Sequence, residues 1–143
     1  GKFVPRPFEP AKELPDEEYP FVLNTGRLLE HWHTGTMTRR SRALDAIKPS
    51  ARVEIHPDDL AALGLADGDD VVVESRRGTI TLAAEASRRV TPGSVFIPFH
   101  FREAAANVLT IDALDPHGKI PEFKFCAVSV RAAEGAAVET VGT

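Results

Sequence analysis

The chain has 143 residues, a formal net charge of -4 and a pI near 5.7, which argue against a general nucleic-acid binder. Hydrophobic residues at 43% and charged residues at 27% are ordinary for one soluble globular domain with a single core. No apolar run is long enough to span a bilayer, and the start of the sequence does not resemble a signal peptide. The composition therefore indicates one globular domain with no transmembrane segment and no nucleic-acid partner.

The two ends of the chain differ from its middle. Residues 1–18 are rich in proline and in acidic side chains, and we expect an extended N-terminal arm that lies on a neighbouring domain rather than folding alone. Residues 132–143 are expected to form a flexible C-terminal tail, because residues 134–143 are rich in Ala and Gly and show no pattern.

Short segments with strand character fill the middle of the chain. They are residues 21–23, 51–55, 70–75, 79–82, 94–98 and 123–130. Turn residues separate these segments, and only short helices are expected, over residues 43–48, 56–64 and 103–107. The second helix has the clearest signals, with Pro57 at its first position and Gly64 at its end, so His56 is expected to cap it. Several short strands with so little helix predict a β-barrel.

Residues 25–40 fit neither a strand nor a helix. This stretch contains the only Trp and the only Met of the chain and two of its five His. Long loops of this kind are functional or disordered, and disordered segments are poor in aromatic residues. The glycines, the Thr hydroxyls, Arg27 and the aromatic rings are suited to phosphate oxygens and to a planar heterocycle. The sequence therefore favours a loop that binds a nucleotide-like anion.

Residues 19–27 (YPFVLNTGR) and 31–39 (HWHTGTMTR) closely resemble the C-terminal dinucleotide-binding domain of molybdopterin oxidoreductases. Three later segments resemble the same domain in the same order, namely residues 68–78, 99–110 and 119–128. The resemblance covers residues 19–131, and it implies that they form the cofactor-binding barrel. The fold it implies is a mainly β, six-stranded double-psi barrel of the aspartate-decarboxylase-like type with short helices.

The resemblance implies that the chain binds one molybdopterin guanine dinucleotide, the organic part of a molybdenum or tungsten bis-MGD cofactor. The cofactor-binding residues carried over are Thr25, Gly26, Arg27, Leu28, Leu29, Glu30, His31, Trp32, His33, Thr34, Phe99, Asn107 and Lys124. Phe99 is expected to pack against a ring, Asn107 to bond a heterocycle edge, and Lys124 to neutralise a phosphate or pair with a pterin atom. Taken singly, these three residues are more typical of a core, a helix end and a solvated surface.

The resemblance also implies an oxidoreductase, and residues 99–107 and 119–124 look most like formate dehydrogenase alpha chains. Oxidation of formate to CO2, or its reverse, is therefore the expected activity, with assimilatory or periplasmic nitrate reductase as the alternative. A single Cys cannot hold an iron–sulfur cluster, so the metal ligand and any 4Fe–4S cluster are expected in upstream domains. The expected partners are those domains and electron-transfer subunits, in the cytoplasm, or in the periplasm if a signal lies upstream. The chain alone is not expected to be catalytic.

Three other interpretations stay open. A non-catalytic double-psi barrel for protein–protein contacts has the same fold, although it has no need of the His-Trp-His loop. His31 and His33 could be zinc ligands, but a closed zinc site needs about four ligands. Cys126 could be a nucleophile, but its strand shows no electropositive setting, and an inert buried thiol is expected instead.

Overall fold

A closed six-stranded barrel forms the centre of the protein in the computed structural model, which describes residues 1–5 and 7–133. The strands are β1 (Phe21–Gly26), β2 (Arg52–Ile55), β3 (Asp70–Ser75), β4 (Gly78–Ala86), β5 (Ser94–Pro98) and β6 (Phe125–Ala132). Their order around the barrel is β1-β5-β2-β4-β3-β6. β1 pairs with β5, and β2 with β4, in parallel, whereas the other neighbouring strands of this barrel are antiparallel. The prediction of a six-stranded double-psi barrel is confirmed.

The helices are short, as predicted. They are α1 (Arg42–Ile47) and α2 (Pro57–Ala62). Single 3-10 turns also occur at Thr38–Arg40, before α1, and at Arg102–Ala104 and Ala106–Val108, after β5. The backbone N–H of Asp58 donates to Nδ1 of His56, which confirms His56 as the cap of α2. Gly64 follows α2 with a φ of 67°, the left-handed conformation in which helices often end. Nowhere in residues 1–5 and 7–133 does a helix reach the length and apolarity needed to cross a membrane.

Alternate side chains of the strands point into the barrel, since successive residues of a strand face opposite sides. The fully buried residues include Leu23, Val53, Ile55, Val71, Val73, Val95, Ile97 and Val128. Cys126 of β6 lies among them, and burial raises the pKa of its thiol to about 11. The thiol therefore stays protonated at neutral pH, and the predicted inert, buried Cys is confirmed.

Several strand boundaries differ from their predicted places. β1 continues to Gly26 rather than ending at residue 23, because it forms a ladder with β5 on one side and with β6 on the other. β4 continues to Ala86, and β6 begins at Phe125 and ends at Ala132. The flexible tail is predicted for residues 132–143. Ala132 instead ends β6, and residues 134–143 lie outside the described residues.

The N-terminal arm is extended, but its last part packs on this barrel. The side chain of Glu13, only 9% exposed, accepts two hydrogen bonds from the Arg77 guanidinium at 2.6 and 2.7 Å. Asp16 pairs with Arg76 and accepts the N–H of Tyr19 at 2.9 Å. The expectation that the arm lies on a neighbouring domain is therefore wrong for residues 13–18, because two arginines of the β3–β4 hairpin bind this segment.

Candidate functional site

A cleft of about 530 Å³ opens where the end of β1 faces the segment before β6. Its volume is within the range of roughly 300–1,000 Å³ that is usual for small-molecule sites. The residues that line it are Gly26, Arg27, His33, Thr34, Phe99, Asn107, Phe123 and Lys124. Seven of the thirteen predicted site residues therefore meet in one cleft. Phe123 was missed, although its position directly before Lys124 was the signal that could have found it.

The cleft is positively charged, since it contains Arg27 and Lys124 and none of its lining residues is acidic. Aromatic rings lie close to both cations: the guanidinium of Arg27 lies 5.8 Å from the centroid of Trp32, and Nζ of Lys124 lies 5.7 Å from that of Phe123. Both cations are exposed to solvent and free to meet a ligand. A concave surface of this charge is suited to an anion.

His33 and Phe99 supply flat apolar faces in the same cleft. Their ring centroids are 5.8 Å apart and their planes are inclined at 72°. His33 has a φ of 48°, a left-handed conformation that non-glycine residues seldom adopt and that is found preferentially at functional sites. The amide of Asn107, on the 3-10 turn Ala106–Val108, offers both a donor and an acceptor to a heterocycle.

His31 anchors the loop rather than lining the cleft. It is 2% exposed, with Nε2 2.8 Å from the carbonyl oxygen of Lys48 and Nδ1 3.2 Å from Oγ1 of Thr38. Because a carbonyl oxygen only accepts, Nε2 donates to Lys48, whereas Nδ1 forms its hydrogen bond with the Thr38 hydroxyl. The same hydroxyl oxygen accepts the backbone N–H of Trp32 at 3.1 Å. The imidazole therefore ties the loop to the end of α1.

The other predicted residues that do not line this cleft are Thr25, Leu28, Leu29, Glu30 and Trp32. Thr25 is buried, and its hydroxyl donates to the carbonyl of Phe123 at 2.7 Å, which fixes the wall opposite Arg27. Leu28 packs on the edge of the core, whereas Leu29 and Trp32 are 99% and 63% exposed. A cofactor contact for these residues stays a prediction.

Two neighbouring clefts, of about 490 and 400 Å³, contain acidic side chains. Glu54 lines both, Asp67 and Glu85 line the larger one, and Arg27 and Arg89 line the smaller one. The Glu54 carboxylate accepts from Oγ of Ser87 at 2.8 Å and from the guanidinium of Arg89 at 2.6 Å. Arg89 lies in an exposed turn and forms an ion pair with Glu54, since a carboxylate buried on β2 needs donors to offset its lost hydration.

The zinc and nucleophile interpretations find no support in the geometry. In the described part of the chain, no group of three or more His, Cys, Asp or Glu residues is placed to hold a metal ion. Both ring nitrogens of His31 are hydrogen-bonded within the protein, so neither is free to bind a metal ion. The raised pKa of the Cys126 thiol is the opposite of what a thiolate nucleophile needs.

A second buried histidine, His100, lies beneath the loop. Neither ring nitrogen has a hydrogen-bond partner among the described residues. The ring instead packs on His31 and Phe101, with centroid distances of 4.7 and 4.4 Å. Burial, with a smaller effect from His31 and Arg39, lowers the pKa of His100 to about 4, so the imidazole is neutral at pH 7.

We expect the protein to lose stability as the pH falls from about 6.5 to about 4. Over this range His100 is protonated in the unfolded chain but not in the folded chain. The stability that comes from burying the neutral imidazole is therefore fully present above pH 6.5 and fully lost below pH 4. The free energy of unfolding in urea should fall between pH 7 and pH 5 by about 1–2 kcal/mol more in the unaltered protein than in His100→Leu. Equal losses in the two proteins would contradict the buried, neutral state of His100.

Comparison with known proteins gives a family match and two close relatives. Residues 21–127 match the family described as "Molydopterin dinucleotide binding domain". The chain is 50% identical over 130 residues to the F420-dependent formate dehydrogenase subunit alpha of Methanocaldococcus jannaschii, covering 91% of this chain and 19% of that protein. It is 48% identical over 118 residues to the F420-dependent formate dehydrogenase 1 subunit alpha of Methanococcus maripaludis, covering 82% and 18% respectively. The chain thus spans under a fifth of the length of these relatives.

A solved structure, acetylene hydratase from Pelobacter acetylenicus, shares the fold. It superposes with a TM-score of 0.74 over 87% of this chain and 21% of that chain, at 19% sequence identity. At this identity the likeness concerns the fold alone.

Proposed function

This chain belongs to the molybdopterin dinucleotide-binding domain family, and on that premise we propose that its cleft holds one molybdopterin guanine dinucleotide. The observation that carries the proposal is the convergence of Arg27, His33, Phe99, Asn107 and Lys124 in a single cleft. These residues come from the end of β1, the following loop, the segment after β5 and the residue before β6, and the barrel brings them together.

The chemistry of the cleft fits this cofactor. The two cations match a pyrophosphate, for which guanidinium and ammonium groups are the usual donors. The edge-to-face pair of His33 and Phe99 offers a surface for a fused ring, and the Asn107 amide offers polar atoms for the ring edge. Thr34, also in the cleft, supplies a hydroxyl. Thr25 and His31 contribute by holding the two walls in place.

For the complete protein we propose a formate dehydrogenase with a molybdenum or tungsten bis-MGD cofactor. Both relatives bear this activity in their names, which favours formate over nitrate as the substrate. The bound cofactor would supply the redox chemistry, the oxidation of formate to CO2 or its reverse. The residues of this chain bind and orient the dinucleotide. A barrel that serves only protein–protein contacts is disfavoured, because its function would not require a cationic cleft lined with aromatic rings.

The proposal includes the partners and the compartment of the complete protein. The remaining domains of a catalytic subunit would cover the open side of the cleft and provide the metal ligand and the cluster, and electron-transfer subunits would accept the electrons. Both relatives are alpha subunits, which supports an assembly of several subunits. We propose a cytoplasmic location for the complete protein. In the described part of this chain Cys126 is a free thiol, which is the usual state of cysteine in that compartment.

Binding of GDP tests the cofactor assignment, because GDP contains the guanine and the pyrophosphate of the dinucleotide. Isothermal titration calorimetry should show GDP binding more tightly than GMP, and GMP more tightly than guanosine, since each lost phosphate removes a partner of Arg27 or Lys124. Affinity for GDP should also fall as the salt concentration rises. Equal affinity for the three compounds would contradict an anion site.

The activity is tested separately in the complete protein. With the complete protein as catalyst, formate should reduce an artificial electron acceptor. Nitrate should not oxidise the reduced form of an artificial electron carrier under the same conditions. The opposite pattern would overturn the formate assignment and leave the dinucleotide assignment standing.

A further inference from the structure

One carboxylate outside the cleft joins the arm to two segments that bear cleft residues. Oε1 of Glu13 accepts the backbone N–H of Ala127 at 2.8 Å, and both carboxylate oxygens accept from the Arg77 guanidinium. The Nε–H of Arg77 in turn donates to the carbonyl oxygen of Leu109 at 2.8 Å. Glu13 and Arg77 therefore connect the arm, the β3–β4 hairpin, the 106–109 turn and β6.

The two segments joined in this way form one wall of the cleft. Leu109 lies two positions after Asn107, and Ala127 lies three positions after Lys124. The hydrogen bonds of Arg77 and Glu13 are made to the backbone of Leu109 and Ala127, which are both fully buried. They therefore hold the main chain of each segment in place. The Cys126 thiol donates to the same Leu109 carbonyl at 3.4 Å, which adds a direct link between the segments.

The hairpin also packs tightly against the turn that bears Asn107. A Cβ added to Gly78, next to Arg77, would lie 2.6 Å from Cγ1 of Val108. The opposite side of this wall is already fixed, because the N–H of Thr25 donates to the carbonyl of Lys124. Movement of Asn107 relative to Lys124 is thus limited on one side by β1 and on the other by the Glu13–Arg77 pair.

We propose that Glu13 and Arg77 are positioning residues, which set the separation of Asn107 and Lys124 and so the affinity of the cleft for its guanine nucleotide. The inference rests on the proposed function. The arm has further attachments. Asp16 forms a more exposed ion pair with Arg76, whose guanidinium also lies 3.5 Å from Oε2 of Glu13, and the backbone N–H of Lys12 donates to the Glu122 carboxylate at 3.1 Å. Removing the Asp16 carboxylate leaves the Glu13–Arg77 pair and its bonds to Ala127 and Leu109 in place, so anchoring of the arm can be separated from positioning of the wall. The Arg77 guanidinium also lowers the pKa of Glu13, so the pair is charged at neutral pH.

Matched variants in the two ion pairs separate these roles. Glu13→Ala should weaken GDP binding about tenfold, which corresponds to a coupling of about 1.4 kcal/mol. Asp16→Ala removes a different attachment of the arm and leaves the Glu13–Arg77 pair in place, so it should change the GDP affinity less than about twofold, whatever it does to the melting temperature. Arg77→Lys keeps the charge but loses the paired N–H groups that bind the Glu13 carboxylate and the hydrogen bond to Leu109, so its GDP affinity should resemble that of Glu13→Ala. Glu13→Gln keeps a hydrogen-bond acceptor at this position, so its GDP affinity should lie between those of Glu13→Ala and the unaltered protein.

A double-mutant cycle shows whether the effect passes through the wall. In a protein that already has Asn107→Ala and Lys124→Ala, adding Glu13→Ala should weaken GDP binding less than about twofold. A full tenfold loss in that background, or equal losses from Glu13→Ala and Asp16→Ala, would overturn the positioning role and leave the proposed function intact. If Glu13→Ala does not fold, Glu13→Gln and Arg77→Lys provide the same comparison. No GDP binding by the unaltered protein would overturn the proposed function and this inference together.

Discussion

Arg27→Ala is expected to weaken GDP binding by about 10- to 100-fold, because a hydrogen bond between charged groups contributes roughly 1.5–3 kcal/mol. Arg27 directly follows the last residue of β1, so its backbone position is fixed by the barrel while its side chain is exposed in the cleft. Its planar guanidinium is well suited to hydrogen-bond two phosphate oxygens at once. Titration calorimetry at low and at physiological salt measures the loss.

Arg40→Ala is the matched control for this prediction. Arg40 lies in the same stretch of residues 25–40 and is also exposed, but it does not line the cleft. Its removal lowers the overall charge by the same amount and should have little effect on GDP affinity. Arg27→Lys should give an intermediate affinity, since the charge remains but the planar fork is lost. If Arg27→Ala and Arg40→Ala bound GDP equally well, Arg27 would act only through the general field of the protein.

Phe101→Ala is expected to lower the free energy of unfolding by about 3–5 kcal/mol, the usual cost of emptying a buried aromatic site. Phe101 is 1% exposed and packs against three side chains that support the loop. Its ring centroid lies 5.5 Å from that of His31, 4.4 Å from that of His100, and 4.9 Å from Cζ of Arg39. Urea denaturation, followed by far-UV circular dichroism, measures the change.

The neighbouring aromatic residue provides the comparison. Phe99 is half-buried and lines the cleft, whereas Phe101, two residues on, belongs to the core. Phe99→Ala should therefore lower the free energy of unfolding less than Phe101→Ala does. For each kcal/mol of stability lost, it should weaken GDP binding more than Phe101→Ala does. A larger loss of stability from Phe99→Ala would contradict the division between a cleft residue and a core residue.

The strands of the barrel could be predicted because their residues alternate between core and surface. Residues 70–75, flanked by turn residues, form β3 with the predicted bounds. The ends of β1, β4 and β6 could not be predicted, since each is decided by a partner strand far away in sequence. Gly26, for instance, is unlikely in a strand on its own propensity, yet it pairs with Pro98 of β5.

Composition located the site but could not tell which polar groups bind a ligand and which support the fold. His31 and His33 are two residues apart and chemically identical, yet one is buried and hydrogen-bonded while the other lines the cleft. The bond from Ala127 to Glu13 joins residues 114 positions apart, and the carboxylate lies in a segment that looked like a loose arm. Such long-range contacts leave no local pattern in a sequence.

β6 is the last strand to be made and the one that closes the barrel, between β1 and β3. During synthesis, the backbone edges of β1 and β3 therefore stay unpaired until residue 132 has left the ribosome. Unpaired edges of this kind invite association with other nascent chains. Lys124, just before β6, takes its place beside Thr25 when the strand docks, so the cleft is complete only after the barrel has been translated. A truncation that removes β6 is expected to leave these two edges unpaired and to favour aggregation.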